Sequence, residues 1–317
     1  MQLDPPLKKI LDLVAGNRPA EPGDMAQRRA QGEAAFGAIR PAPQTGVTVA
    51  DHTVAVEGGQ ILVRTYIPDD LARPAPVLFY LHGGGWFMGN LDTAESECVI
   101  QAADIPAVMV SVDYRLAPEH KFPIPFDDCM AAYGWVLAQA DELGVDTGRI
   151  AVAGGSAGAN LAAAMCLAIR DRGLPLPCLQ LLDVPFVDLT LGSPSLTEEM
   201  SGYGLTGSEV LECAEIYVRD EADRRHPYVS PLLAEDLSGL PPAFILTAEF
   251  DPVRDDGERY LERLHQAGVA AAGFRVLSHI HGTWVIPGSA TWGLVRDVRL
   301  AALRRAFDGT LAPELPF

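Results

Sequence analysis

The chemistry in this chain gathers first around one serine between glycines. Gly154-Gly155-Ser156-Ala157-Gly158 forms a G-x-S-x-G. The apolar run RIAVAG (149–154) precedes it, and AGANLAAAMCLA, rich in small residues, follows. A short apolar strand running into a helix through such a turn is the context of a nucleophile elbow. The turn strains the serine backbone, its glycines let strand and helix approach, and the helix N-terminus favours developing negative charge. The alternative is a glycine turn carrying an incidental serine.

A second cluster, His82-Gly83-Gly84-Gly85-Trp86, ends the apolar run PVLFYLH (76–82). Acyl transfer creates an oxyanion that backbone N–H groups must face, and glycines leave those groups unobstructed. An HGGG run of this kind is known from lipases and esterases. The rival is a phosphate-cradling loop, but no Gly-Lys-Ser/Thr follows.

A serine nucleophile needs a base, and the base an orienting carboxylate, here in the order Ser, acid, His. Histidines 226, 265, 279 and 281 follow Ser156. His265 sits among charged residues of a helical pattern, and His226 lies in an irregular stretch. His279 and His281 stand at the end of the strand-like AGFRVL (272–277), where open α/β sheets carry their sites. His281 is preferred because Gly282 follows it, as suits a base on a loop. An H-x-H pair could hold a metal, but no acidic or thiol partner is spaced nearby, so no metal and no cofactor are expected. AFILTAEF (243–250) leads into Asp251, the preferred acid, while Asp255 and Asp256 suit a first helical turn.

These residues need a scaffold. Asp51–Val56, Gly58-Gly59 and Ile61–Ile67 predict a hairpin. Apolar strands then alternate with helical patterns at 93–104, 126–142, 157–170, 255–267 and 290–307. That rhythm predicts an α/β fold with a mostly parallel central sheet covered by helices on both faces. Residues 186–225, with five glycines and prolines before a helix-like 208–219, are too long for an ordinary connection and predict a lid-like insertion. The expected organisation is an N-terminal helical part (1–45), a first core part (46–185), the insertion (186–225) and a second core part (226–317).

Composition narrows the classes. A hydrophobic share of 48% with 21% charged residues fits a globular domain rather than a disordered chain. A net charge of −18 opposes nucleic acid and anionic lipid. Five cysteines, at 98, 129, 166, 178 and 213, form no CxxC and give no disulfide framework; Cys166 and Cys178 read as buried small hydrophobes. The start, MQLDPPLKKILDLVAG, lacks the pattern of a signal peptide, and no run of about 18 apolar residues occurs, so a cytoplasmic, membrane-free protein is expected.

Taken together, HGGGW (82–86), DYRLAPEHKFPIPFDD (113–128), GGSAGAN (154–160), VSPLLAEDLSGLPPAFILTAEFDPVRDDG (229–257) and HG (281–282) resemble the bacterial hormone-sensitive-lipase-like carboxylesterases. The resemblance spans roughly residues 50–310 and implies an α/β-hydrolase with a helical cap from residues 1–45 and 186–225. It implies an oxyanion hole from the N–H groups of Gly84, Gly85 and Ala157, with His82 holding the glycine loop. The chain departs from the family at Gly155, where Asp or Thr is common, and at Thr283-Trp284, where Phe often follows His-Gly. Trp86, Phe87, Met88 and Trp284 are candidate pocket walls, with core packing as the alternative for each.

The expected function is hydrolysis of small to medium apolar acyl esters by Ser156, His281 and Asp251. The implied partner is a small-molecule ester, and a homodimer is one assembly open to the chain. An amidase or formamidase on the same triad is the enzymatic alternative. A non-catalytic ligand-binding member of the fold and an interfacial lipase are the others.

Overall fold

The computed structural model describes residues 3–8, 11, 24–37, 46–198, 202–282, 289 and 291–311. Strands β1 (Val47–Val56) and β2 (Gly59–Pro68) form the expected hairpin around Gly58. They continue into one eight-stranded sheet with β3 (Ala75–Leu81), β4 (Val108–Asp113), β5 (Val145–Gly155), β6 (Leu179–Asp183), β7 (Ala243–Phe250) and β8 (Ala271–Ile280). The order is β1-β2-β4-β3-β5-β6-β7-β8, antiparallel at β1–β2 and β2–β4 and parallel elsewhere.

Helices α1 (Met25–Gly37), α2 (Leu91–Asp104), α3 (Ile124–Ala138), α4 (Ala140–Leu143), α5 (Ala157–Asp171), α6 (Gly207–Tyr217), α7 (Glu221–Arg224), α8 (Arg254–Gln266) and α9 (Trp292–Phe307) accompany it. Strand side chains alternate between two cores. Val77, Phe79, Leu81, Val110 and Val152 pack with Leu161 and Met165 of α5 and with Phe126 and Tyr133 of α3. Leu78, Tyr80, Met109, Ala153 and Leu181 pack on the other face with Ala94 and Cys98 of α2 and Leu303 of α9. β3 is buried along its whole length, which is why its sequence is a continuous apolar run rather than an alternation. β8, at the sheet edge, is half exposed and runs through Ile280, beyond the apolar stretch expected for it.

The chain winds outward from β3 to β4, then crosses back to β5 and continues in the other direction. That reversal opens a crevice beyond the carboxyl ends of β3 and β5, the usual ligand position in such sheets. The glycine loop follows β3, and Ser156 follows β5.

The stretch 186–225 carries a 3₁₀ turn (Pro194–Thr197), α6 and α7. A reciprocal capping box between Thr206 and Glu209 starts α6. Asp255 and Asp256 do stand in the first turn of α8, as expected. They also stitch this stretch to the core. Asp256 accepts the N–H groups of Val187 (3.0 Å) and Asp188 (2.9 Å) and the Ser193 hydroxyl, and Asp255 accepts the N–H of Ser195 at 2.9 Å. Of the two cysteines read as buried, Cys166 is, whereas Cys178 is only half-buried.

Candidate active site

Ser156 caps α5 with φ 55° and ψ −117°, a region costly for a residue with a Cβ. Its N–H donates to the Asp183 carbonyl at 2.8 Å, which fixes the turn to the end of β6. The glycine loop lies against this elbow: a Cβ placed on Gly83 would stand 3.6 Å from the Ser156 Cβ.

Within the loop, Gly84 has φ +116°, and any Cβ there would sit 2.2 Å from the Met88 carbonyl oxygen. That carbonyl approach and that dihedral are available only to glycine. The Gly84 carbonyl in turn accepts from the N–H groups of Phe87 (3.2 Å) and Met88 (3.0 Å). Among the described residues no backbone carbonyl accepts from the N–H of Gly84 or Gly85. Ala157 opens α5, where N–H groups have no intrahelical acceptor. These are the donors an oxyanion would require.

Asp251, fully buried at the end of β7, accepts from His281 Nδ1 at 2.9 Å through Oδ2 and from the Val253 N–H at 2.9 Å through Oδ1. With its Nδ1–H so engaged, the imidazole leaves Nε2 as a proton acceptor. His279 does not join this pair. It is buried, and its ring nitrogens meet the Leu277 carbonyl (3.0 Å) and the Thr291 hydroxyl (2.6 Å). The H-x-H therefore has its two rings on separate partners. His265 and His226 are exposed.

Trp86 and Phe87 pack as core. Trp86 has no exposed surface and stacks on Tyr217 of α6 at 4.4 Å, and Phe87 lies under the Arg28 guanidinium. Met88 is half-buried beside Gly32 of α1. Thr283 and Trp284 lie outside the described residues.

His82 holds the loop as expected. Its Nδ1 meets the Gly83 carbonyl at 2.8 Å, and its ring stacks on Tyr114 at 4.2 Å. The Tyr114 hydroxyl donates back to the His82 carbonyl at 2.8 Å. Burial pulls the His82 pKa down to about 4 from 6.5, so the ring is neutral in the folded state. Between pH 6.5 and 4 the unfolded chain thus binds more protons, and this contribution to stability, roughly 3 kcal/mol at most, is lost as pH falls through that window. Asp256, pushed up to about 7 by burial, acts with the opposite sign over the same range. Thermal melts of wild type and His82→Asn separate the two. The variant should lose less stability on acidification from pH 7 to 4.5 than wild type, and equal slopes would refute the assignment.

The remaining motif residues are structural, which sequence alone did not reveal. Arg115 grips the fully buried Asp128 through both carboxylate oxygens (2.9 and 2.7 Å). Lys121 donates to the carbonyls of Glu215 and Val218 at the end of α6. Asn160 donates to Phe186 and Val229 carbonyls, both at 2.8 Å, and the Ser230 hydroxyl accepts the Leu189 N–H at 2.8 Å.

The sequence pattern of the alpha/beta hydrolase fold family matches residues 78–285, from the middle of β3 to just past His281. The chain belongs to the α/β-hydrolase family. Within it the chain falls among the hormone-sensitive-lipase-like carboxylesterases, and it is a serine hydrolase of that class. It is 39% identical over 314 residues to carboxylesterase NlhH of Mycobacterium tuberculosis, covering 96% of each chain. It is 41% identical over 232 residues to an arylesterase of Saccharolobus solfataricus, 73% of this chain and 75% of that one. Among solved structures, a hyperthermophilic esterase from Pyrobaculum calidifontis superposes with a TM-score of 0.89 at 39% identity, over 98% of this chain and 100% of that one. In this α/β-hydrolase, among the described residues, no helix is long and apolar enough to cross a membrane, and no group of three or more His, Cys, Asp or Glu could hold a metal ion.

Proposed function

We propose that this carboxylesterase cleaves small to medium apolar acyl esters through an acyl-enzyme on Ser156. The observation that carries the reading is the buried Asp251 carboxylate bonded to His281 Nδ1, in a chain whose G-x-S-x-G serine sits on a strained strand-to-helix turn. Ser156 Oγ attacks the ester carbonyl carbon while His281 Nε2 takes its proton. Asp251 holds the tautomer and stabilises the imidazolium. The N–H groups of Gly84, Gly85 and Ala157 receive the oxyanion. The tetrahedral adduct collapses, the alcohol leaves with the proton from His281, and water repeats the sequence on the acyl group. Helices α1 and α6, from the N-terminal part and the insertion, serve as cover for the site, a role supported by Arg28 of α1 lying over Phe87 and Tyr217 of α6 stacking on Trp86.

The test is a series of nitrophenyl esters from acetyl to lauroyl, followed in the pre-steady state. The expected result is a burst of about one nitrophenolate per protein molecule, highest efficiency on short and medium chains, and labelling of Ser156 by an alkylphosphonate. Activity confined to amides or formamides would move the reading to the amidase class, and a label on any other residue would end it.

A further inference from the structure

We propose that Arg29 is a positioning residue for the oxyanion hole, an inference that rests on the acyl-transfer reading above. Arg29 belongs to α1, which is remote in sequence from every motif, yet its guanidinium ties two loops at the site. Its Nε donates to the Phe87 carbonyl at 2.8 Å, and one terminal nitrogen donates to the Ala117 carbonyl at 2.9 Å. Both terminal nitrogens also meet the Glu119 carboxylate, at 3.0 and 2.6 Å, so the fork is held from its far side.

The two carbonyls matter because of what the neighbouring N–H groups hold. The Phe87 and Met88 N–H groups donate to the Gly84 carbonyl, closing the turn that aims Gly84 and Gly85. The Ala117 N–H donates to the Trp86 carbonyl at 2.9 Å, stitching the 114–119 loop to the same turn. One planar cation thus bridges the carbonyls of Phe87 and Ala117, with the turn between them. Neighbouring contacts orient α1 around this point. Arg28 forms a two-pronged pair with Glu212 of α6 at 2.8 Å, and Glu33 accepts from Asn90 Nδ2 at 3.1 Å. The bridging needs three donors in a fixed plane, which a lysine ammonium lacks. Seating of α1 is therefore read by the chemistry through the Phe87 and Ala117 carbonyls, and displacement of an oxyanion donor by as little as 1 Å weakens catalysis without weakening substrate binding.

The experiment compares Arg29→Ala and Arg29→Lys with wild type, using Arg275→Ala as a control. Arg275 forms a comparable two-pronged surface pair with Glu258, on the edge strand β8. Arg29→Ala should lower kcat by about 10- to 100-fold with KM within about 3-fold. Active sites counted by phosphonate labelling should remain full. The inhibition constant of a trifluoromethyl ketone, which binds as a tetrahedral adduct, should rise by the same factor as kcat/KM falls. Arg29→Lys should recover part of the loss, and Arg275→Ala should match wild type. A wild-type kcat with only a lower melting temperature would make Arg29 a mere anchor of α1 and overturn the proposal. So would a loss of activity matched by a loss of labelled sites. Failure of wild type to label at Ser156 would instead strike the acyl-transfer reading itself.

Discussion

Replacing Ser156 by Ala should lower kcat about a million-fold, and replacing Asp251 by Asn about ten-thousand-fold, both with the fold intact. The second value follows from hydrogen-bond direction. Asp251 has two acceptor oxygens in use, one for Val253 N–H and one for His281 Nδ1–H. Asparagine offers one acceptor and one donor. If its oxygen keeps the Val253 N–H, its NH₂ faces His281 and demands an acceptor at Nδ1. The imidazole then carries its proton on Nε2 and cannot take one from Ser156. Steady-state kinetics on a nitrophenyl ester, with circular dichroism to verify folding, decides the matter. Asp255→Asn is the comparison: that carboxylate accepts from Ser195 N–H and pairs with Arg254, so it should keep most of the activity. Greater damage at Asp255 than at Asp251 would overturn the choice of acid.

The second large effect concerns Gly158, the second residue of α5. A Cβ there would stand 2.0 Å from the Leu81 carbonyl oxygen and 2.6 Å from that of His82. Both are backbone atoms of β3 and its extension, so neither can rotate away. Gly158→Ala must push α5 off the sheet, and overpacking of this severity costs upwards of about 3 kcal/mol. The melting temperature should fall by on the order of 5–10 °C. Because Ser156 caps the displaced helix, activity should fall by about 100-fold as well. Gly155 is the contrasting neighbour. Nothing lies within 4 Å of a Cβ built there, and its φ is ordinary. Gly155→Thr should therefore melt within about 2 °C of wild type. Equal losses at the two positions would show that the space beside Gly155 is not open to a side chain, contrary to this geometry.

The same pair explains the departure noted in the sequence. The space beside Gly155 is open, so the Asp or Thr common in the family could stand there without rearrangement. Glycine at this position is a choice of side chain and not a backbone requirement, whereas glycine at 158 is required by the approach of α5 to β3.

Much of the scaffold was legible because local pattern and burial coincide. β3, β5, β6 and β7 lie inside the sheet with helices on both faces, so β3, β6, residues 150–154 of β5 and residues 243–248 of β7 are buried and mostly apolar. Gly84 of the loop and Gly154 and Gly158 of the elbow were legible because close backbone approach excludes every other residue there. Asp251 and His281 were legible as a pair because each follows the end of one of two neighbouring strands, β7 and β8. What the sequence could not determine is which polar side chains outside the expected triad meet between separate segments. The motif DYRLAPEHKFPIPFDD offered no chemistry by itself, and only the fold shows Tyr114 stacked on His82, Arg115 on Asp128, and Glu119 holding Arg29. Trp86 and Phe87 read equally as wall or core until Tyr217 and Arg28, from α6 and α1, were seen to cover them. Hydrophobic pattern is a property of neighbours along the chain, so it survives in sequence. A hydrogen bond between segments depends on where two separate pieces of backbone come to rest, and that is decided only when the sheet, its helices and the stretches around them have packed.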